Sequence, residues 1–347
     1  MEQERKIELD LLRLLAMLAV ITIHVCSRAI AFPDIHTPVG ILVACFTSAI
    51  TWSVPVFVMI SGSLFLDKDR EFPLSKLFRK YIPHLVVCFF FWSGIYHIWY
   101  RFTGVYDELN WKGMLSQFLQ GPTHLWYIVM LIGLYILIPF LRKIAEDDRL
   151  TLYFIVLSFI SFFVVQYLVE LPGLGATVEA LLHTSGFHFT LGFTGYYLMG
   201  HYLYTHEISG RQEMAIYSLG LLALVFTCGA SVCQSLHPGD HYIEFIKYCT
   251  PNVMLEAAAL FLLFTKRISK IHFSQKAIHV LTFTTNMGLG IYLIHALIID
   301  FFIQAGSKSL SLSPLLLIPL LTTSVFVFSL LGTWLIKKIP FLGKHIV

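Results

Sequence analysis

The feature that most constrains this chain is a succession of apolar stretches, each near the length that crosses a bilayer. A spanning helix needs roughly 20 apolar residues. Such stretches occupy 9–31, 40–66, 81–103, 123–141, 150–170, 187–204, 213–233, 244–265, 278–303 and 313–336. The sequence therefore predicts an all-α, polytopic membrane protein with about ten transmembrane helices in a bundle. Composition agrees: 57% of the residues are hydrophobic and 13% are charged, whereas soluble chains carry about 25% charged residues.

The basic residues set the expected orientation. With the N-terminus in the cytoplasm, the loops near 67–80, 141–149, 205–212 and 266–277 and the tail from Lys337 share its side. That side then holds about 18 of the 24 Lys and Arg, as the positive-inside rule requires. Both termini are expected to be cytoplasmic. The remaining loops (104–122, 171–186, 234–243 and 304–312) are short, so residues 1–347 are expected to form a single membrane domain. Loop 171–186 is semi-apolar and suits a surface or re-entrant segment. No internal repeat and no broken helix in paired halves is evident. The first apolar run is too long and too polar in its middle for a cleavable signal peptide. The net charge of +3, with no basic run interleaved with aromatics, argues against a nucleic-acid partner. The six cysteines show no CxxC spacing and read as small buried hydrophobes, not as metal ligands. A bridge among Cys26, Cys233 and Cys249 stays open, and no metal is expected.

Ionisable residues inside a span cost roughly 2.5–3.5 kcal/mol unless paired or solvated, so they mark cavities. The first stretch carries Asp10, Arg13 and His24. Asp10 and Arg13, three apart, share a helix face and can pair. Arg13 and His24 are eleven apart, about three turns, so His24 falls on the same face ~16 Å deeper. The alternative is that Arg13 snorkels to the headgroups and His24 hydrogen-bonds a neighbouring helix. In the second stretch Pro55 predicts a bend, and Ser61-Gly62-Ser63 suits close helix packing. Lys76, Arg79 and Lys80, in the loop that follows, stand where an anionic phosphate donor would arrive, or else express positive-inside topology. His124, Trp126 and Tyr127 open the fourth stretch; an aromatic belt accounts for the latter two better than for His124. Tyr292 and His295 share a helix face after Gly288 and Gly290, and a structural histidine there is as reasonable as a functional one. Asp300 is expected near the outer surface, where it would be solvated.

Taken in order, Asp10-x-x-Arg13 with Arg13-x10-His24, VPVFVMISGSLF at 54–65, the basic stretch ending in Pro83, HLWYIVMLIGLYILIP at 124–139, GYYLMGHYL at 195–203 and GIYLIHALI at 290–298 resemble the acyltransferase family 3 of integral membrane proteins. Each segment is degenerate alone, but the ordered set spans most of the chain. Among family members the chain is similar to the form without an extracellular SGNH domain, the O-acetyltransferases of surface polysaccharides. The resemblance implies a bacterial inner-membrane enzyme that takes acetyl from cytoplasmic acetyl-CoA to a hydroxyl of a surface or lipid-linked glycan. It also implies that His24 is the essential histidine and Arg13 its partner. The family's Arg-x-x-Arg pair falls on Lys76-x-x-Arg79, and lysine lacks the bidentate fork that arginine offers a phosphate.

Acyl transfer to an alcohol needs a base for the hydroxyl and a group to stabilise the developing oxyanion. His24 is the expected base, with Arg13, paired to Asp10, holding the donor or the transition-state charge. Lys76, Arg79 and Lys80, with Ser61, are assigned to the donor. His124, Trp126, Tyr292 and His295 are assigned to the acceptor, and membrane lipid surrounds the whole. An acyl-histidine intermediate and a separate acyl carrier remain alternatives to direct transfer. The rival class is a multi-pass transporter of a lipid or glycolipid.

Overall fold

A computed structural model describes residues 5–30, 33–68, 73–105, 111–160, 191–236, 247–306 and 312–347, together with Leu168 and Thr177. All regular structure among these residues is helical. In chain order the helices are α1 (Ile7–Ala29), α2 (Pro38–Ser48), α3 (Ser53–Phe65), α4 (Leu74–Phe102), α5 (Trp111–Gln120), α6 (Thr123–Ala145) and α7 (Asp148–Ser158). They continue with α8 (Leu191–Thr205), α9 (Gly210–Leu236), α10 (Pro251–Lys266), α11 (Gln275–Asn286), α12 (Gly288–Gln304), α13 (Pro314–Lys337) and α14 (Pro340–His345).

Among the described residues, six helical runs are long and apolar enough to cross a bilayer: α1, α2 with α3, α4, α6, α9 and α13. The pair α11 and α12 makes a seventh if the two are one bent span. The chain is thus a multi-pass, all-helical membrane protein. The expected loop 171–186 lies outside the described residues apart from Thr177, as do most of 161–190.

Four expectations change. The stretch 40–66 breaks between Ser48 and Ser53, upstream of Pro55; the proline sits in the first turn of α3, where its missing N–H costs nothing. Lys76, Arg79 and Lys80 are helical rather than in a loop, because α4 begins at Leu74 and runs through a π-helical turn at Leu77–Tyr81. Of the stretch 244–265, residues 247–250 are non-helical and the helix begins at Pro251, which takes the first helical position. The stretch 278–303 is two helices bent by 65° at Met287.

The bend needs partners for the backbone groups it frees, since hydrocarbon offers none. Lys337 Nζ supplies one, donating to the Asn286 carbonyl at 2.6 Å, and the Arg5 guanidinium holds the adjoining side chains, donating to Thr285 Oγ1 at 2.8 Å and to Asn286 Oδ1 at 3.3 Å. Arg5 precedes α1 and Lys337 closes α13, so two segments far apart in sequence meet at this elbow.

α1 runs through the middle, packed against α2, α3, α10, α11, α12 and α13. Beside it α3 and α8 cross with backbones nearly touching. A Cβ on Gly62 would stand 1.8 Å from the Tyr197 carbonyl oxygen, and one on Gly200 would stand 2.2 Å from that of Met59. In a bilayer, close packing of this kind supplies helix association that the hydrophobic effect cannot. Gly200→Val should therefore lower stability in detergent by about 1–3 kcal/mol or more, seen as a lower thermal midpoint. An unchanged midpoint would show that α3 and α8 do not meet there.

Candidate functional site

α1 carries Asp10, Arg13, His24 and Arg28 along one stripe. Asp10 and Arg13, one turn apart, pair at 3.1 Å, and the Asp10 carboxylate also takes the Arg5 guanidinium. Arg13 then lines a central cavity of about 280 Å³, and His24, eleven residues on, lines the same cavity. The helical repeat that placed these two on one face has placed them around one space.

Three other segments converge there. A 3-10 turn at Thr123–Leu125, ahead of the regular part of α6, delivers His124. α12, just beyond the elbow, delivers Tyr292 and His295, and Trp126 and Ser61 complete the expected set on the cavity wall. The imidazole of His24 lies 5.1 Å from that of His295 and 6.4 Å from that of His124, centroid to centroid, and His124 and His295 are 5.4 Å apart.

Hydrogen bonds fix the orientation of this cluster. The Tyr292 hydroxyl donates to the His124 carbonyl, tying α12 to the 3-10 turn. His295 Nδ1 lies 2.5 Å from the Tyr292 carbonyl oxygen. A carbonyl can only accept, so Nδ1 carries the proton, and the neutral ring presents Nε2 as a base. The Nε2 atoms of His124 and His295 are buried without a hydrogen-bond partner among the described residues. Buried polar atoms are normally satisfied, so two orphans beside one cavity indicate space for a ligand group or water. No group of three or more His, Cys, Asp or Glu among the described residues is arranged to hold a metal ion.

Two larger cavities flank the central one. At the end of the bundle where Arg5 and the elbow lie, about 620 Å³ is lined by Arg5, Lys6, Asp10, Arg13, Asp67, Tyr204 and Asn286, among others. Toward the opposite end, about 660 Å³ lies between α2, the end of α9 and the turn before α10. Arg13 borders both the first vestibule and the central cavity; Ile23 and Tyr248 border both the central cavity and the second vestibule. The three spaces thus follow α1 from one end to the other.

Lys76, Arg79 and Lys80 are exposed on the first turns of α4 and line none of these cavities. Asp300 is not merely solvated: it is buried and pairs with Arg28 at 2.6 Å, and Arg28 also donates to the Tyr100 hydroxyl at 3.3 Å. Sequence reading passed over Arg28, although it stands one turn beyond His24 on the same stripe. It also passed over Arg5 and Lys6, which precede the apolar run, and Tyr248, stacked on Trp126 with ring centroids 5.5 Å apart.

A family model described as an acyltransferase domain matches residues 6–338. Comparison with curated proteins and with solved structures returned no significant match. The match takes in every helix from α1 to α13, and so the whole histidine cluster; the chain belongs to the acyltransferase family 3.

Proposed function

We propose that the protein is a bacterial inner-membrane O-acyltransferase, in the first instance an O-acetyltransferase, moving acetyl from cytoplasmic acetyl-CoA to a hydroxyl of a cell-surface or lipid-linked glycan. The observation that carries this reading is the line of three cavities along α1, with His24 in the smallest and, at one end, a vestibule where Arg5, Lys6 and Arg13 outnumber Asp10 and Asp67.

Magnitudes assign the parts. Pockets that enclose a drug-sized ligand are about 300–1,000 Å³. The central cavity, at about 280 Å³, suits only the reacting ends of two larger molecules, whereas either vestibule can take a body. Acetyl-CoA would lie in the vestibule lined by Arg5, Lys6 and Arg13, with its phosphates beside the cations and its thioester reaching past Arg13. Lys76, Arg79 and Lys80, with about ten helices and both termini cytoplasmic, complete the proposed donor side as an exposed basic rim that raises the local concentration of an anion. The acceptor would come from the opposite vestibule, its hydroxyl meeting the thioester carbonyl beside His24.

His24 then accepts the hydroxyl proton as the new C–O bond forms. Arg13 balances charge on the carbonyl oxygen, and the C–S bond breaks to release CoA, whose sulfur takes up a proton. The His295 ring, fixed by its bond to Tyr292, is the neighbour that receives or returns that proton. Trp126, His124 and Tyr292 wall the acceptor side, and Ser61 the floor toward α3.

The bent pair α11 and α12 is the one feature that a transporter of lipid or glycolipid would share, since such proteins bind at broken helices. A transporter would move substrate without consuming acetyl-CoA and would tolerate loss of the imidazole at position 24.

His24→Ala should lower glycan acetylation by about 10²–10⁴-fold, the usual worth of a positioned general base, with normal membrane insertion. Mass spectrometry of surface glycans and thiol release from acetyl-CoA check this; retained transfer would remove His24 from the chemistry. Lys6→Ala should raise the KM for acetyl-CoA severalfold with little change in kcat, and the effect should shrink as salt rises. The triple change Lys76→Ala, Lys80→Ala and Arg79→Ala should show a steeper loss of kcat/KM at low salt than at high salt. A salt-independent loss would place those three in direct contact with donor.

A further inference from the structure

The hydroxyl of Tyr96, on α4, is bonded to two backbone groups of a different helix. It donates to the Leu293 carbonyl of α12 at 2.9 Å and accepts from the Leu297 amide at 3.0 Å. Those two residues are four apart, the spacing at which an α-helix pairs its own carbonyl and amide. α12 therefore needs no outside partner for either group. What the phenol adds is geometry, because a side chain inserted at the hydrogen-bond ladder is one of the few causes of a local distortion in a helix. Phenylalanine would fill the same space with no buried hydroxyl to satisfy.

The turn so held is the one that carries His295. Within it the His295 ring takes the Tyr292 carbonyl through Nδ1 at 2.5 Å, so the direction of the imidazole follows the backbone path from 292 to 297. The Tyr96 ring meanwhile meets the His124 ring edge to face, with centroids 4.7 Å apart. Tyr292 links the same two segments by donating to the His124 carbonyl. One phenol thus touches both segments that bring a histidine to His24. It is fully buried and lines none of the three cavities, so its contacts are with the histidine supports and not with donor or acceptor.

We infer that Tyr96 is a positioning residue for acyl transfer: its hydroxyl holds the 293–297 turn of α12 in the form that sets the His295 imidazole against His24. The inference rests on the acyltransferase reading above and adds a residue outside the cavity on which the 5.1 Å spacing of those two rings depends. Sequence gives no sign of it, since Tyr96 stands in an aromatic-rich run where one more ring reads as packing.

The test compares wild type with Tyr96→Phe, which keeps the ring against His124 and removes only the oxygen. The Leu297 amide then closes onto the Leu293 carbonyl as in any helix, so the variant keeps its fold. Full-length protein is assayed in membranes of the producing cell, which carry their own acceptor, by thiol release from added acetyl-CoA; membranes lacking the protein give the background. Tyr96→Phe should lower kcat about tenfold to a hundredfold, the scale of a reacting group displaced by about 1 Å. The KM for acetyl-CoA and the thermal midpoint in detergent should stay near those of wild type, a split that a merely structural role would not give. A wild-type kcat in the variant overturns the positioning role, as does a loss of kcat matched by a rise in KM or by a fall in the midpoint. Wild-type membranes that release no more thiol than the background overturn the acyltransferase reading instead, and the role with it.

Discussion

A guanidinium cannot rest in hydrocarbon without a counter-charge or water, and α1 carries one near each end of its buried length. Arg13 is answered by Asp10, which also takes Arg5; Arg28 is answered by Asp300. Left alone, each would cost several kcal/mol. The rest of the arrangement follows from meeting that demand. Asp300 can reach Arg28 only if α12 lies along α1, and that packing brings His295 beside His24. Arg5, while paired with Asp10, also reaches Thr285 and Asn286 at the elbow, so the same cation joins the start of α1 to the bend between α11 and α12. The cavity between the two ion pairs is where the helices cannot close without burying another unpaired polar group.

Small residues allow the remaining approach. Gly62 and Gly200 let α3 and α8 touch backbone to backbone, and Gly290 meets Thr333 so closely that a Cβ would stand 2.3 Å from its methyl. These contacts draw the outer helices onto α1 from both sides. The histidines therefore sit in a narrow space whose walls are held by backbone contact, which suits a site that must keep two imidazoles about 5 Å apart.

Much of this could be read in the sequence, for identifiable reasons. Asp10, Arg13 and His24 lie on one helix, so the 3.6-residue repeat alone puts them on one stripe. His124, Tyr292 and His295 stood out as polar residues in apolar runs, but their convergence depends on how α6 and α12 dock, which no local pattern encodes. The Arg28–Asp300 pair joins residues 272 apart in sequence, and each alone looks like an ordinary interfacial charge. The break at 49–52 falls on Ala-Ile-Thr-Trp, with neither glycine nor proline to announce it, while the visible Pro55 sits harmlessly in a first turn. At 286–288 the signal was present, since Asn-Met-Gly is a common way to end a helix, but the apolar pattern runs straight through it.

The elbow between α11 and α12 is fastened by two cations far from it in sequence, Arg5 ahead of α1 and Lys337 at the close of α13. His295 stands just beyond that elbow, so its place depends on side chains that belong neither to its own helix nor to the wall of the cavity that it faces. A change at either cation can therefore reach the imidazole cluster from a distance, through the angle of one bend.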